Sequence, residues 1–146
     1  MTGKNSELRK KILEEMTVDY SDTLEKNFDL AKQFIRITRD GKIDVIVKDM
    51  ISGKEQILLY LIGKLYAKEA GLSPTDEVGN KELMDELGIP IGSLLPWLKE
   101  LRDKNKIKQI KRGRTVFHRI HINIMEKTLK RIERKINAAK YVPYAP

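Results

Sequence analysis

The strongest constraint on the fold is the stretch Asn80–Leu101, where two short leucine-spaced segments are divided by Gly88-Ile89-Pro90-Ile91-Gly92. Leu83 and Leu87 lie four apart, as do Leu94 and Leu98, with Leu101 three further on, so each segment carries one apolar stripe at helical spacing. Gly88 lets the chain leave the first helix through a positive φ at little steric cost, and Ile89 plugs the angle between the two. A longer helix precedes them. It starts at Ser52 or Gly53, carries the wide stripe Ile57, Leu58, Leu61, Ile62, Leu65 and Tyr66, and stops at Gly71 with Pro74 beyond. The spacing thus predicts helices over 54–70, 81–87 and 93–104, the second capped by Asn80, with a loop over 72–79 and a tight turn over 89–92.

The remaining segments alternate between strand and helix patterns. Two strands are predicted over 106–112 and 115–122, joined at Gly113. Asn123 and Glu126 have the spacing of a capping box for a last helix to about Ala139, whose stripe is Met125, Leu129, Ile132 and Ile136. That stripe has two readings: it covers the chain's own core, or it pairs with a second subunit. Upstream, residues 34–48 read as a hairpin about Asp40-Gly41. A three-residue loop, Arg39-Asp40-Gly41 with Gly41 left-handed, pairs Ile37 with Ile43 and Ile35 with Val45. A two-residue loop would slip the register and mix charge into the apolar face, so the longer loop is preferred. Residues 1–32 are polar and mostly helical, with Leu8, Ile12, Leu13 and Met16, then Leu24, Phe28 and Ala31, at helical spacing and Ser21 as a candidate N-cap. The expected organisation is α+β: an N-terminal helical extension and hairpin (1–50), a central unit (51–122), a C-terminal amphipathic helix (123–140) and a loose tail (141–146).

The central order of helix, short helix, turn, helix and β-hairpin, with Leu-Gly-Ile at 87–89 and Ile107 after the charged break 102–106, resembles the winged helix-turn-helix of transcription regulators. The resemblance covers about half the chain and concerns core positions rather than chemistry. It implies a third helix that projects into a DNA major groove, with Gly92, Ser93, Leu95, Pro96 and Lys99 facing the bases and Arg102 nearer the backbone. Readers of base edges use Arg, Asn, Gln or Lys there, whereas this helix offers Leu95, Pro96 and Trp97. Pro96 is expected in the first helical turn, and Trp97 to pack half-buried beneath the wing.

Charge supports a polyanionic partner. From Lys99 to Lys135 there are fourteen basic and four acidic residues, a surplus of ten, within a chain of net charge +8. Lys106, Lys108, Lys111, Arg112, Arg114 and Arg119 fall within 14 residues about Gly113, with no acid between Asp103 and Glu126. Such a wing suits phosphate contacts, which give affinity without sequence discrimination. Duplex DNA is therefore the expected partner, through Ser93, Lys99, Arg102 and the six wing cations. A protein-docking module using Leu95, Pro96 and Trp97 is the alternative, to which the apolar face of the N-terminal hairpin adds weight. RNA is less favoured because stacking aromatics are few.

Chemistry of other kinds is poorly served. There is no cysteine, which excludes disulfides, thiolate metal sites and cysteine nucleophiles. His118 and His121, three apart on a strand, point to opposite faces and cannot chelate one metal as a pair. No phosphate loop or nucleophile elbow is present, so neither catalysis nor a cofactor is expected. The charged opening Met1–Lys11 has no signal-peptide core, and the longest apolar run, Ile57–Ile62, is too short for a membrane span. A cytoplasmic protein is expected, and a homodimer if the last helix serves a second subunit.

Overall fold

The computed structural model describes residues 3–17 and 20–140, so the tail expected to be loose, residues 141–146, lies outside it. Helix α1, Gly3–Lys11, continues as a π-helical turn, Ile12–Met16, and is followed by α2, Tyr20–Lys26, and α3, Phe28–Ala31. A hairpin of β1, Ile35–Ile37, and β2, Ile43–Val45, leads through a 3-10 turn, Lys48–Met50, to α4, Gly53–Glu69. Then come β3, Val78–Gly79, α5, Asn80–Leu87, α6, Ile91–Asp103, β4, Ile107–Arg112, β5, Thr115–Ile120, a 3-10 turn, Ile122–Ile124, and α7, Met125–Lys140. The fold is mixed helix and sheet, with two small antiparallel sheets ordered β1-β2 and β3-β5-β4.

α4 is the axis on which the rest packs. Ser52 starts it with a capping box: its Oγ accepts from the Glu55 N–H at 3.2 Å, while Glu55 Oε1 accepts from the Ser52 N–H at 2.9 Å. Every residue from Ile57 to Leu65 is buried, so the helix is enclosed on all sides rather than along one stripe. Even Lys64 is inside, where it meets Glu82 of α5 at 3.3 Å, and Glu82 also accepts from the Tyr60 hydroxyl at 2.5 Å. This polar cluster ties α5 to α4.

The N-terminal hairpin closes one side of that helix. Its register is Ile35 to Val45 and Ile37 to Ile43, and Gly41 sits at φ +88°, as the three-residue loop requires. Close approach follows from the lack of a side chain at Gly63 of α4: a β-carbon there would stand 2.5 Å from Ile43 Cγ2 and 3.2 Å from Ile35 Cγ2. The hairpin's apolar face therefore finds its partner within the chain. The α7 stripe is also satisfied internally, with Met125, Leu129, Ile132 and Ile136 all at 2% exposure or less, which removes it as a subunit interface.

Several local expectations are corrected. Ser21 is not an N-cap but the second residue of α2, and its hydroxyl donates to Glu69 Oε1 at 2.8 Å. The Asn123–Glu126 capping box does not form; Asn123 lies in a 3-10 turn, and Glu126 pairs with Lys130 at 3.0 Å and Lys26 at 3.3 Å. The loop 72–79 ends in a strand, because Val78 and Gly79 pair with His118 and Phe117. Ile91 and Gly92 belong to α6, not to a turn, which places Pro96 sixth in the helix rather than in its first turn. Its ring removes the N–H that would donate to the Gly92 carbonyl. Gly92 is exposed, so the missing bond falls at the surface rather than in the core. Trp97 is half-buried, but against Gly53 at the start of α4 and not beneath the strands.

Candidate nucleic-acid interface

The pleat divides the basic hairpin into two faces. Residues directly opposite share a face, and successive residues alternate. The pairs Ile107–Ile120, Gln109–His118 and Lys111–Val116 thus face one way, and Lys108–Arg119, Ile110–Phe117 and Arg112–Thr115 the other. Ile107 and Ile120 are in the core. Beyond them the first face opens into a groove of about 530 Å³ against α6, lined by Asn80, Leu95, Pro96, Leu98, Lys99, Arg102, Gln109, Val116 and His118. The hairpin turns through Gly113 and Arg114, with Gly113 at φ +64°, the glycine-first pattern of a two-residue loop.

His118 anchors the inner end of this groove. It is 1% exposed, and its Nε2 lies 2.6 Å from Asn80 Oδ1. A carboxamide oxygen only accepts, so Nε2 carries the proton, and Nδ1 is left buried without a partner. Burial, and then the Arg102 charge, push the ring's pKa down to about 4. Asn80 does not cap α5 as expected: Gly79 holds the cap position, and the Asn80 side chain is spent on His118. This polar pair joins α5 to β5. His121 lies past the end of β5.

The outer face of the hairpin is largely neutralised. β3 is preceded by Asp76 and Glu77, and its pairing with β5 brings both acids to the β4–β5 hairpin. Arg112 makes a forked pair with Glu77, at 2.9 Å from Nε and 2.6 Å from Nη2, and holds that carboxyl below its usual range. Arg119 donates to the buried Asp76 at 2.6 Å, with Lys68 at 3.9 Å on the same carboxylate. Lys106 points away to a different cleft beside α7. The six cations expected to form one phosphate-gripping cluster are therefore dispersed: two hold carboxylates, and one is on another surface.

What remains on the groove side is smaller and sharper. Arg102 lines the groove, Lys111 shares its face, and Arg114 stands at the tip. Lys108 is exposed on the outer face. Among the described residues, no carboxylate stands within ion-pair distance of any of these four. Lys99 meets Asp103 at 3.1 Å, an exposed pair one turn apart that exchanges easily. Ser93 is half-buried in the first turn of α6 and outside the groove lining. Leu95 is 48% and Ile91 45% exposed, one turn apart on α6, and Pro96 is exposed beside them. Trp97 is turned to the other side, so Leu95, Pro96 and Trp97 do not make one surface.

Gln109 is a groove residue that the sequence reading misses, although its alternation with Lys111 marks it as facing the same way. Nothing local marks Asp76 and Glu77, because their partners are more than thirty residues away. Among the described residues no three His, Asp or Glu side chains converge as a metal site would require, and no helix is long and apolar enough to cross a membrane. Comparisons with models of known families, with curated proteins and with solved structures find no match.

Proposed function

We propose that the protein is a non-catalytic winged helix-turn-helix DNA-binding protein of the cytoplasm, a transcription regulator or chromatin-associated protein, with α6 as the groove-facing helix. The single observation that carries this reading is the trio Arg102, Lys111 and Arg114 beside a projecting helix, all free of carboxylates among the described residues. Support for the fold comes from the element order α4-β3-α5-α6-β4-β5, with β3 paired to β5. A helix beside a basic hairpin suits the major groove of B-form DNA; the deep, narrow major groove of duplex RNA does not admit it. The exposed groove side of α6 carries apolar Ile91, Leu95 and Pro96, so contacts with sugars and thymine methyls are favoured over paired hydrogen bonds to base edges. Binding should be weakly selective for sequence.

The test is a salt titration of affinity for duplex DNA, duplex RNA and single strands. Lys111→Ala with Arg114→Ala should weaken binding to all DNA duplexes alike. It should also flatten the slope of log affinity against log salt by up to about 0.9 for each phosphate no longer neutralised. Leu95→Ala should leave that slope unchanged. No salt-dependent affinity in the wild type, or an unaltered double variant, would overturn the reading.

A further inference from the structure

A second cleft, also of about 530 Å³, lies where the N-terminus of α4, the C-terminal end of α6 and one side of α7 meet. It is on the side of α6 opposite the groove: Glu100 and Lys104 face the cleft, while Lys99 and Arg102 face the groove. Its floor is apolar, with Leu58, Leu101 and Ile132 at 3% exposure or less. Cationic side chains on its walls far outnumber its two carboxylates, Glu55 and Glu100.

Both carboxylates are already committed. Glu100 takes Lys54 at 2.7 Å and Lys104 at 2.9 Å, which hold its carboxyl down to about 2. Glu55 takes Lys135 at 2.6 Å while completing the α4 capping box. Lys106, Lys127 and Arg131 remain, and among the described residues none of them stands within ion-pair distance of a carboxylate. Lys106 is the most telling. It is half-buried, and burial lowers its pKa, with Arg131, Lys104 and Lys54 pushing the same way against the smaller opposing pull of Glu55. Gathering like charges around a partly desolvated ammonium is unfavourable by itself. It becomes favourable when a compact anion occupies the space between them. The cavity has the size of a small-molecule site, with apolar floor and convergent polar groups.

We propose that this cleft binds a small organic polyphosphate, its phosphates held by Lys106, Lys127 and Arg131 and its organic part lying against Leu58 and Ile132. The alternative source of the same phosphate chemistry is a nucleic-acid backbone, and the test separates the two.

Full-length protein is titrated calorimetrically with adenosine triphosphate, inorganic tripolyphosphate and adenosine, and each variant is first checked for an unchanged melting profile. Adenosine triphosphate should bind one-to-one, tripolyphosphate more weakly, and adenosine not measurably. Arg131→Gln and Lys106→Met should each weaken adenosine triphosphate by about tenfold, the value of one charge-assisted hydrogen bond. Lys111→Ala with Arg114→Ala, on the opposite side of α6, should leave it unaltered. Failure of both phosphates to saturate one site overturns the proposal, and so does equal weakening by the cleft and wing variants. If Arg131→Gln also abolishes duplex DNA binding, the cleft is part of the nucleic-acid surface and the small-ligand assignment falls. If DNA binding fails in the wild type while adenosine triphosphate still binds, the cleft stands and the DNA reading falls.

Discussion

The imidazole of His118 is held neutral by its surroundings, with Nε2–H donating to Asn80 and Nδ1 buried without a partner. Its pKa is about 4 in the folded chain against an ordinary value of 6.5. The unfolded chain therefore takes up a proton first as pH falls. The stabilisation is complete above pH 6.5 and is lost between pH 6.5 and about 4, by up to roughly 3 kcal/mol. Urea unfolding at pH 7 and pH 4.5 should show this loss in the wild type and not in His118→Gln. An imidazole proton resonance titrating near pH 6.5 in the folded protein would contradict it. At this scale legibility depends on sequence distance. Gly41 is readable because its left-handed φ follows from a hairpin register decided within ten residues. The Asn80–His118 bond spans 38 positions, and Asn80 taken alone looks like any helix cap.

At the scale of elements, the helices of the central unit and both hairpins are legible from periodicity, because a stripe at spacing three and four, or an alternation at two, is a local signal. The short strand β3 is not. Two residues carry no period, and their pairing with β5 is what delivers Asp76 and Glu77 to the basic hairpin. The basic run thus reads as one cluster in sequence, while the pleat splits it into a committed outer face and a freer inner one. The Arg112–Glu77 fork makes that split testable. Glu77→Gln leaves the guanidinium without its carboxylate but keeps a neutral acceptor of the same shape. If the β4–β5 hairpin grips phosphates, Arg112 then becomes available to them. Affinity for duplex DNA should rise, and the salt slope should steepen by up to about 0.9. An unchanged slope in a DNA-binding variant would mean that the outer face never reaches the backbone.

For the whole molecule, the sequence divides near residue 50 into an N-terminal extension and a central unit, and one core runs across that boundary. Leu24, Phe34, Ile35, Ile43 and Val45 are all below 9% exposure and belong to the same core as α4 and α7. Gly63 is shaped to the hairpin, and Lys26 of α2 meets Glu126 of α7. Burying each of these five side chains is worth about 1.5–3 kcal/mol, hence roughly 8–15 kcal/mol together as an upper bound. That is comparable to the entire stability of an ordinary domain, about 5–15 kcal/mol. Residues 5–17 present the opposite case, since every one of them is exposed, including Leu8, Leu13 and Met16. Two truncations should therefore behave very differently. Removing residues 1–17 should leave the thermal midpoint unchanged. Removing residues 1–50 strips α4 along the Gly63 side, and the remainder should lose its cooperative melting transition and aggregate through the exposed leucines and isoleucines. A 51–146 fragment that melts sharply, with a dispersed amide spectrum, would show that the central helices and the β4–β5 hairpin hold together without the β1–β2 hairpin.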